Sequence, residues 1–295
     1  MPEGRIMKAL SGFYYVKSND KIYQCRSRGL FRKKKITPLV GDQVEFSVEK
    51  NDEGYILEVK ERTNELVRPP IANVDQAFVV FSATDPELNR TLLDRFLVII
   101  ESSRIKPIII ITKLDLVKDG EKDFVYQTIK DYEKIGYPVI LTSARENRGI
   151  KALFPYIKNK VSVFAGQSGV GKSTLLNCLR PDLELETKAI SKHLGRGKHT
   201  TRHVELLEIG EGLVADTPGF SVLDFADIEP EDLTLYFPEM KERYPECKFR
   251  GCLHVKEPDC AIKQAVASGE IQSYRYENYC TFLEEIQERK TRLYK

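Results

Sequence analysis

The segment that most restricts this chain begins with an apolar run, Val161–Ala165. It passes directly into Gly166-Gln167-Ser168-Gly169-Val170-Gly171-Lys172-Ser173, followed by Thr174. This is a GxxxxGK[ST] loop in its required context, after a strand and before helical spacing. Glycines let backbone N–H groups curl around a polyphosphate, and the next helix adds its N-terminal dipole. The lysine neutralises the β and γ phosphates, and the serine offers an oxygen to Mg²⁺. A nucleoside triphosphate site is therefore expected, and with it an open α/β sheet. From Ile71 onward strand-like runs (Ala77–Phe81, Pro107–Ile111, Pro138–Leu141) alternate with helical spacing (Arg90–Ser102, Lys122–Ile135), which specifies a parallel sheet with helices on both faces.

Three further signatures choose the base. Ile108–Ile111 ends in Thr112-Lys113-Leu114-Asp115, an [NT]KxD pattern. Its aspartate can accept two hydrogen bonds from guanine N1–H and the exocyclic amine. Adenine would leave that carboxylate unpaired, and unpaired buried polar groups are costly. The Lys113 stem would lie along the base. Leu141-Thr142-Ser143-Ala144 ends the next strand as an SA element, whose backbone would meet the guanine oxygen. Ala215-Asp216-Thr217-Pro218-Gly219 supplies DxxG, with Asp216 toward Mg²⁺ and the Gly219 N–H toward the γ-phosphate. All four lie at strand C-terminal edges, where open α/β sheets bind ligands.

The order is unusual, because base recognition precedes the phosphate loop. This is a circular permutation. The segment after DxxG then feeds straight into the C-terminal part of the chain, so loss of γ-phosphate contacts is expected to release that part. Between phosphate loop and DxxG lies Thr187–Val204, with five Lys/Arg, three of the four histidines and no acid. Such a loop suits nucleic-acid phosphates. Thr200 or Thr201 would close on Mg²⁺, Thr201 being the one carried forward. Phe220 stands where many GTPases place the water-orienting glutamine. His199 is the best-placed substitute, with His193 and His203 as alternatives.

Upstream, from about Gly12 to Lys60, short β-rich pieces separated by turn signals read as a small OB-like barrel. It carries the basic run Arg26–Lys35, an expected RNA surface. Downstream, Cys247-x4-Cys252-x-His254-x5-Cys260 places three thiols and an imidazole within fourteen residues. That Cys₃His set suits one closed, structural Zn²⁺. The other three cysteines, Cys25, Cys178 and Cys280, have no partners by spacing. Net charge is only +2 over 295 residues, positive before residue 71 and negative after residue 223, so local clusters must carry any case for nucleic acid. No apolar run approaches a membrane span and no secretory core follows Met1, which points to a cytoplasmic protein with no membrane partner.

With GQSGVGKS, TKLD, SA, GRGKHTT, DTPGF and CKFRGCLHVKEPDC in one chain, the sequence resembles the ribosome small subunit-dependent GTPase A family of bacterial assembly GTPases. The resemblance implies a multidomain α/β protein: an OB-type barrel over 1–68, a circularly permuted P-loop GTPase domain over 69–223, and a zinc-binding helical domain over 224–295. It implies GTP and GDP as ligands, the small ribosomal subunit and its rRNA as partners in late maturation, and subunit-stimulated hydrolysis; nothing in the sequence suggests a dimer seam, so a monomer is expected. It assigns Thr112, Lys113 and Asp115 to guanine, Lys172 and Ser173 to phosphate and Mg²⁺, the Cys247–Cys260 set to zinc, and catalysis to His199. Thr112 in place of asparagine is expected to cost one tethering bond to the phosphate loop. Two rivals differ in class. A metabolic kinase or ATPase would leave TKLD without a role, and an RNA-binding barrel with a vestigial site would bind nucleotide without turnover.

Overall fold

A computed structural model of the chain describes residues 1–29, 31, 36–67, 69–181, 204–216 and 224–293, those at 216 and 293 by backbone alone. The expected His199, Thr200, Thr201 and Gly219, the alternatives His193 and His203, Phe220, and Arg32–Lys35 of the basic run lie outside the described residues.

Five strands form the N-terminal barrel: β1 (Glu3–Leu10), β2 (Phe13–Ser18), β3 (Lys21–Ser27), β4 (Gln43–Val48) and β5 (Glu53–Val59). They run β1-β2-β3-β5-β4, and β1 pairs back to β4 to close the barrel. Inward residues Ile6, Val16, Cys25, Val44, Phe46 and Ile56 are fully buried. Gly54 is required where β5 crosses β4, since a Cβ there would lie 1.9 Å from the Ser47 carbonyl oxygen. The barrel begins earlier than the turn signals indicated. Strand β1 mixes charges with apolar residues, and its buried positions Ile6 and Met7 are adjacent at a bulge, so no period of two is visible.

A short ribbon, β6 (Glu65–Leu66) with β7 (Ile71–Ala72), leads out of the barrel. It is tied down by Arg62, whose Nε and Nη2 donate to the two carboxylate oxygens of buried Asp42 at 2.7 and 2.8 Å. The central sheet follows: β8 (Gln76–Ser82), α1 (Arg90–Ser102), β9 (Lys106–Thr112), α2 (Asp119–Ile135), β10 (Val139–Leu141), α3 (Phe154–Ile157), β11 (Val161–Ala165), α4 (Lys172–Leu179), β12 (Glu205–Ile209) and β13 (Gly212–Asp216). The order is β10-β9-β8-β11-β13-β12.

The strands are parallel except β12, which runs antiparallel to β13, so the sheet is mixed at that edge. Alternation sorts the two faces. Ala77, Val79 and Phe81 pack with Leu93, Phe96 and Ile129 of α1 and α2, while Phe78 and Val80 pack with Ile157, Leu175 and Leu176 of α3 and α4. Asn89 caps α1 by accepting from the Leu92 N–H at 2.9 Å, and Gly136 at φ 105° ends α2.

Strand β12 also meets the barrel. Lys8 of β1 pairs with Glu205, and their side chains form an ion pair at 2.8 Å; Lys17 pairs with Glu208. The barrel and the central sheet are thus one eleven-stranded sheet. The C-terminal unit contains α5 (Pro238–Arg243), α6 (Ala261–Ala267) and α7 (Ser273–Leu293), packed on Phe225, Leu233, Phe237, Met240 and Phe282. Val98 of α1 belongs to the same cluster, so this core continues into the central domain. Among the described residues no helix is long and apolar enough to cross a membrane.

Candidate nucleotide site and metal centre

Gly166, Gly169 and Gly171 hold φ values of 142°, 85° and 101°, which permit the phosphate loop to curl between β11 and α4. A side chain at Gly166 would put its Cβ 2.2 Å from the Val80 carbonyl oxygen, so the loop can form only with glycine there. Lys172 opens α4, and its Nζ donates to the carbonyls of Gly166 and Gln167 at 2.7 and 2.6 Å. Burial lowers its pKa to about 8. Ser173 and Thr174 occupy the next positions of the same turn.

The residues expected to recognise the base converge on this loop from β9 and β10. Thr112 ends β9 almost fully buried, and its hydroxyl donates to the Val170 carbonyl at 2.6 Å. The expected loss of a tether is therefore corrected: threonine, shorter than asparagine, still bonds the base loop to the phosphate loop. Lys113 follows at φ 58° and its Nζ donates to the Asp85 carbonyl. Asp115 lies in a one-turn helix, Leu114–Leu116, where its Oδ1 accepts from Ser143 Oγ at 2.6 Å. Ser143 is itself held by reciprocal backbone bonds with Arg148 across the tight loop that contains Ala144. Gly149 closes that loop at φ 75°, under the Leu141 carbonyl. Thr112, Lys113, Asp115, Ser143, Ala144 and the phosphate loop thus share one sheet edge. Asp216 ends β13 beside β11. Asp85 was not foreseen; only its position before Pro86 hinted at a turn.

Some 3–4 Å separations define the second site. Nδ1 of His254 lies 3.6 Å from Cys247 Sγ and 3.3 Å from Cys260 Sγ, with the two sulfurs 4.0 Å apart. All four ligand atoms, Cys252 included, fall within 4.8 Å of one another. A tetrahedral ion about 2.3 Å from sulfur and 2.0–2.1 Å from nitrogen keeps its ligands roughly 3.5–3.8 Å apart, so the set fits zinc.

The surroundings fix the imidazole. His254 Nε2 donates to Thr234 Oγ1 at 3.1 Å, Thr234 meets Tyr279 OH at 3.1 Å, and Tyr279 OH donates to the Leu253 carbonyl at 3.2 Å. That relay leaves Nδ1 as the free lone pair facing the sulfurs. Burial pushes the Cys252 thiol up to about 12 and His254 down to about 4. A divalent cation held among them would supply the charge that thiolates need there.

Comparison with known proteins identifies the family. The RsgA N-terminal domain model matches residues 3–56 and the RsgA GTPase model residues 59–226. A curated relative from Geobacillus sp. (strain WCH70), named small ribosomal subunit biogenesis GTPase RsgA, is 64% identical over 292 residues, covering 99% of this chain and 100% of that one. The protein of the same name from Bacillus subtilis (strain 168) is 58% identical over 297 residues, with 99% and 100% covered. The crystal structure of YloQ, described as a circularly permuted GTPase, superposes with a TM-score of 0.87 at 53% identity, covering 98% of this chain and 96% of that one. YjeQ from Thermotoga maritima gives a TM-score of 0.87 at 37% identity, covering 97% and 98%. With its barrel, its permuted order of nucleotide loops and full-length likeness of this degree, the chain belongs to the RsgA GTPase family.

Proposed function

We propose that the chain hydrolyses GTP in the service of small ribosomal subunit biogenesis, turning over slowly alone and faster when bound to the subunit. The observation that carries this reading is the convergence of Asp115, Ser143, Thr112 and the phosphate loop at one sheet edge, in permuted order. The printed names of the relatives support the biological setting. Asp115, oriented by Ser143, accepts from the guanine edge, and Lys113 covers the base. Backbone N–H groups from Gly166 to Thr174 and the Lys172 ammonium hold the phosphates. Ser173, Asp216 and Thr201 form an all-oxygen set suited to Mg²⁺, which offsets phosphate charge when bound. His199 orients the attacking water in place of the glutamine that Phe220 excludes.

Cys247, Cys252, His254 and Cys260 hold one Zn²⁺, which staples a loop that has little core of its own. The working units are 1–68, 69–223 and 224–295, the first offering an RNA contact surface, in a cytoplasmic monomer. The test is GTP turnover with and without purified small subunits, with ATP as control nucleotide. Strong stimulation and no ATP hydrolysis are expected. ATP turnover would favour the metabolic class, and GTP binding without turnover would favour a vestigial site.

A further inference from the structure

The loop joining β8 to α1, residues 83–89, carries none of the motifs that identify the nucleotide site, yet it forms one wall beside it. Ser82 ends β8 in register with Thr112 and is almost wholly buried. Its Oγ accepts from the Asp85 N–H at 3.1 Å and lies 3.4 Å from the Thr84 nitrogen, which donates to the same oxygen. The Ala83 N–H donates to the Thr112 carbonyl at 2.9 Å. These bonds fold the loop back over the end of β9 and present the Asp85 carbonyl to Lys113 Nζ. The Asp85 carboxylate stands 3.8 Å from the same ammonium. Across the mouth, Pro86 approaches the phosphate loop, its Cδ 3.9 Å from where a Cβ on Gly169 would lie.

A free lysine side chain loses rotamer entropy when it is laid against a base. A lysine already held at its tip has lost that freedom before the ligand arrives, and such preorganisation raises affinity. We propose that Ser82 is a positioning residue for guanine-nucleotide binding: it shapes the 82–86 turn so that the Asp85 carbonyl holds Lys113 extended along the base position. This rests on the guanine reading above and adds an element outside its motifs. Ser82 touches no ligand and acts only through Lys113.

The test is a double-mutant cycle on the full chain, with a fluorescent GDP analogue as probe. Ser82→Ala alone is expected to weaken binding roughly fivefold, the worth of one ordinary hydrogen bond. The turnover rate at saturating GTP should stay unchanged, the signature of lost binding uniform between ground and transition states. In a Lys113→Met background Ser82→Ala should cost nothing further. The same factor in both backgrounds, or no effect in either, overturns the proposal, because a merely structural role is additive. If Ser82→Ala proves unstable in a thermal melt, Asp85→Gly at its exposed site loosens the same turn and must show the same non-additivity. A wild-type chain that fails to bind the probe overturns the guanine reading itself, and this proposal with it.

Discussion

Arg275 of α7 donates through Nη1 to Asp94 Oδ1 of α1 at 2.5 Å, and both side chains are sealed from solvent. The same guanidinium reaches Glu239 of α5 through Nε at 2.6 Å and Nη2 at 3.1 Å. Asp94 also accepts from Tyr132 OH at 2.5 Å and Asn278 Nδ2 at 2.6 Å. Burial pushes the Asp94 carboxyl up, and the Arg275 charge with these donors works against that rise. Removing the arginine leaves two carboxylates without their cation. Arg275→Met should therefore cost about 3–5 kcal/mol in a denaturant titration, with loss of the near-UV signal of the C-terminal aromatic residues.

That network bears on how the C-terminal unit behaves during turnover. Release after loss of the γ-phosphate is the expectation from chain order alone, but α1 grips α7 at three further places. Thr91 Oγ1 donates to Asn278 Oδ1 at 2.8 Å, Arg95 Nη1 meets Glu285 at 2.9 Å, and Val98 enters the C-terminal core. A Thr91→Cys, Asn278→Cys pair, oxidised to a disulfide, should retain subunit-stimulated GTP turnover. Turnover lost on oxidation and restored by reductant would show that the unit must detach.

If Lys172 holds the phosphates as proposed, nucleotide binding should be sensitive to alkaline pH. Its pKa of about 8 in the ligand-free protein means that the ammonium the phosphates require is progressively lost above that pH. Affinity for GDP should be about tenfold weaker at pH 9 than at pH 7, from the fraction of protonated lysine. Lys172→Arg, which stays charged, should flatten that profile even if it binds less well. For folding without nucleotide the sign is opposite. A lysine whose pKa falls below its unfolded value of 10.5 makes the fold gain stability as pH rises from about 8 toward 10.5.

Thr112→Val keeps the shape of the side chain and deletes the bond to the Val170 carbonyl. Because that carbonyl belongs to the phosphate loop, GTP and GDP should both bind roughly five- to tenfold more weakly. Thr112→Asn should bind close to the wild type if the longer amide reaches the same carbonyl. Isothermal titration with GDP measures both.

Zinc removal should act on the C-terminal unit and spare the nucleotide site. Cys252 and Cys260 lie within the core that holds Phe237, Tyr279 and Phe282. Cys252→Ser should abolish stoichiometric zinc in elemental analysis and lower the melting temperature by several degrees, in line with the loss of a structural metal. GDP affinity should stay within about twofold, since the altered site and the nucleotide loops share no partners.

Both sites could be read along the chain to the extent that their chemistry is local. GQSGVGKS is one uninterrupted turn whose glycines and lysine lie on adjacent backbone, and CKFRGCLHVKEPDC packs three thiols and an imidazole into fourteen residues. Strands β8, β9 and β11 were legible because buried parallel strands are continuous apolar runs. Strand β1 was not, because its bulge breaks the alternation and its pairing with β4 and Glu205 comes from far along the chain.

The deeper contacts were settled only by folding. Asp85 and Lys113 are 28 residues apart, and Asp94 and Arg275 are 181 apart. Neither pair has a spacing that marks it, since any of 46 Lys/Arg and 44 Asp/Glu could be partners on paper. Local backbone chemistry determined that a phosphate loop, a guanine loop and a Cys₃His knuckle would form. Which carbonyl holds Lys113, which arginine neutralises Asp94, and how the barrel joins β12 depend on groups that meet only after the sheet has closed. Those choices are made by desolvation: once buried, a charge must find a partner among whatever the packing has brought within reach.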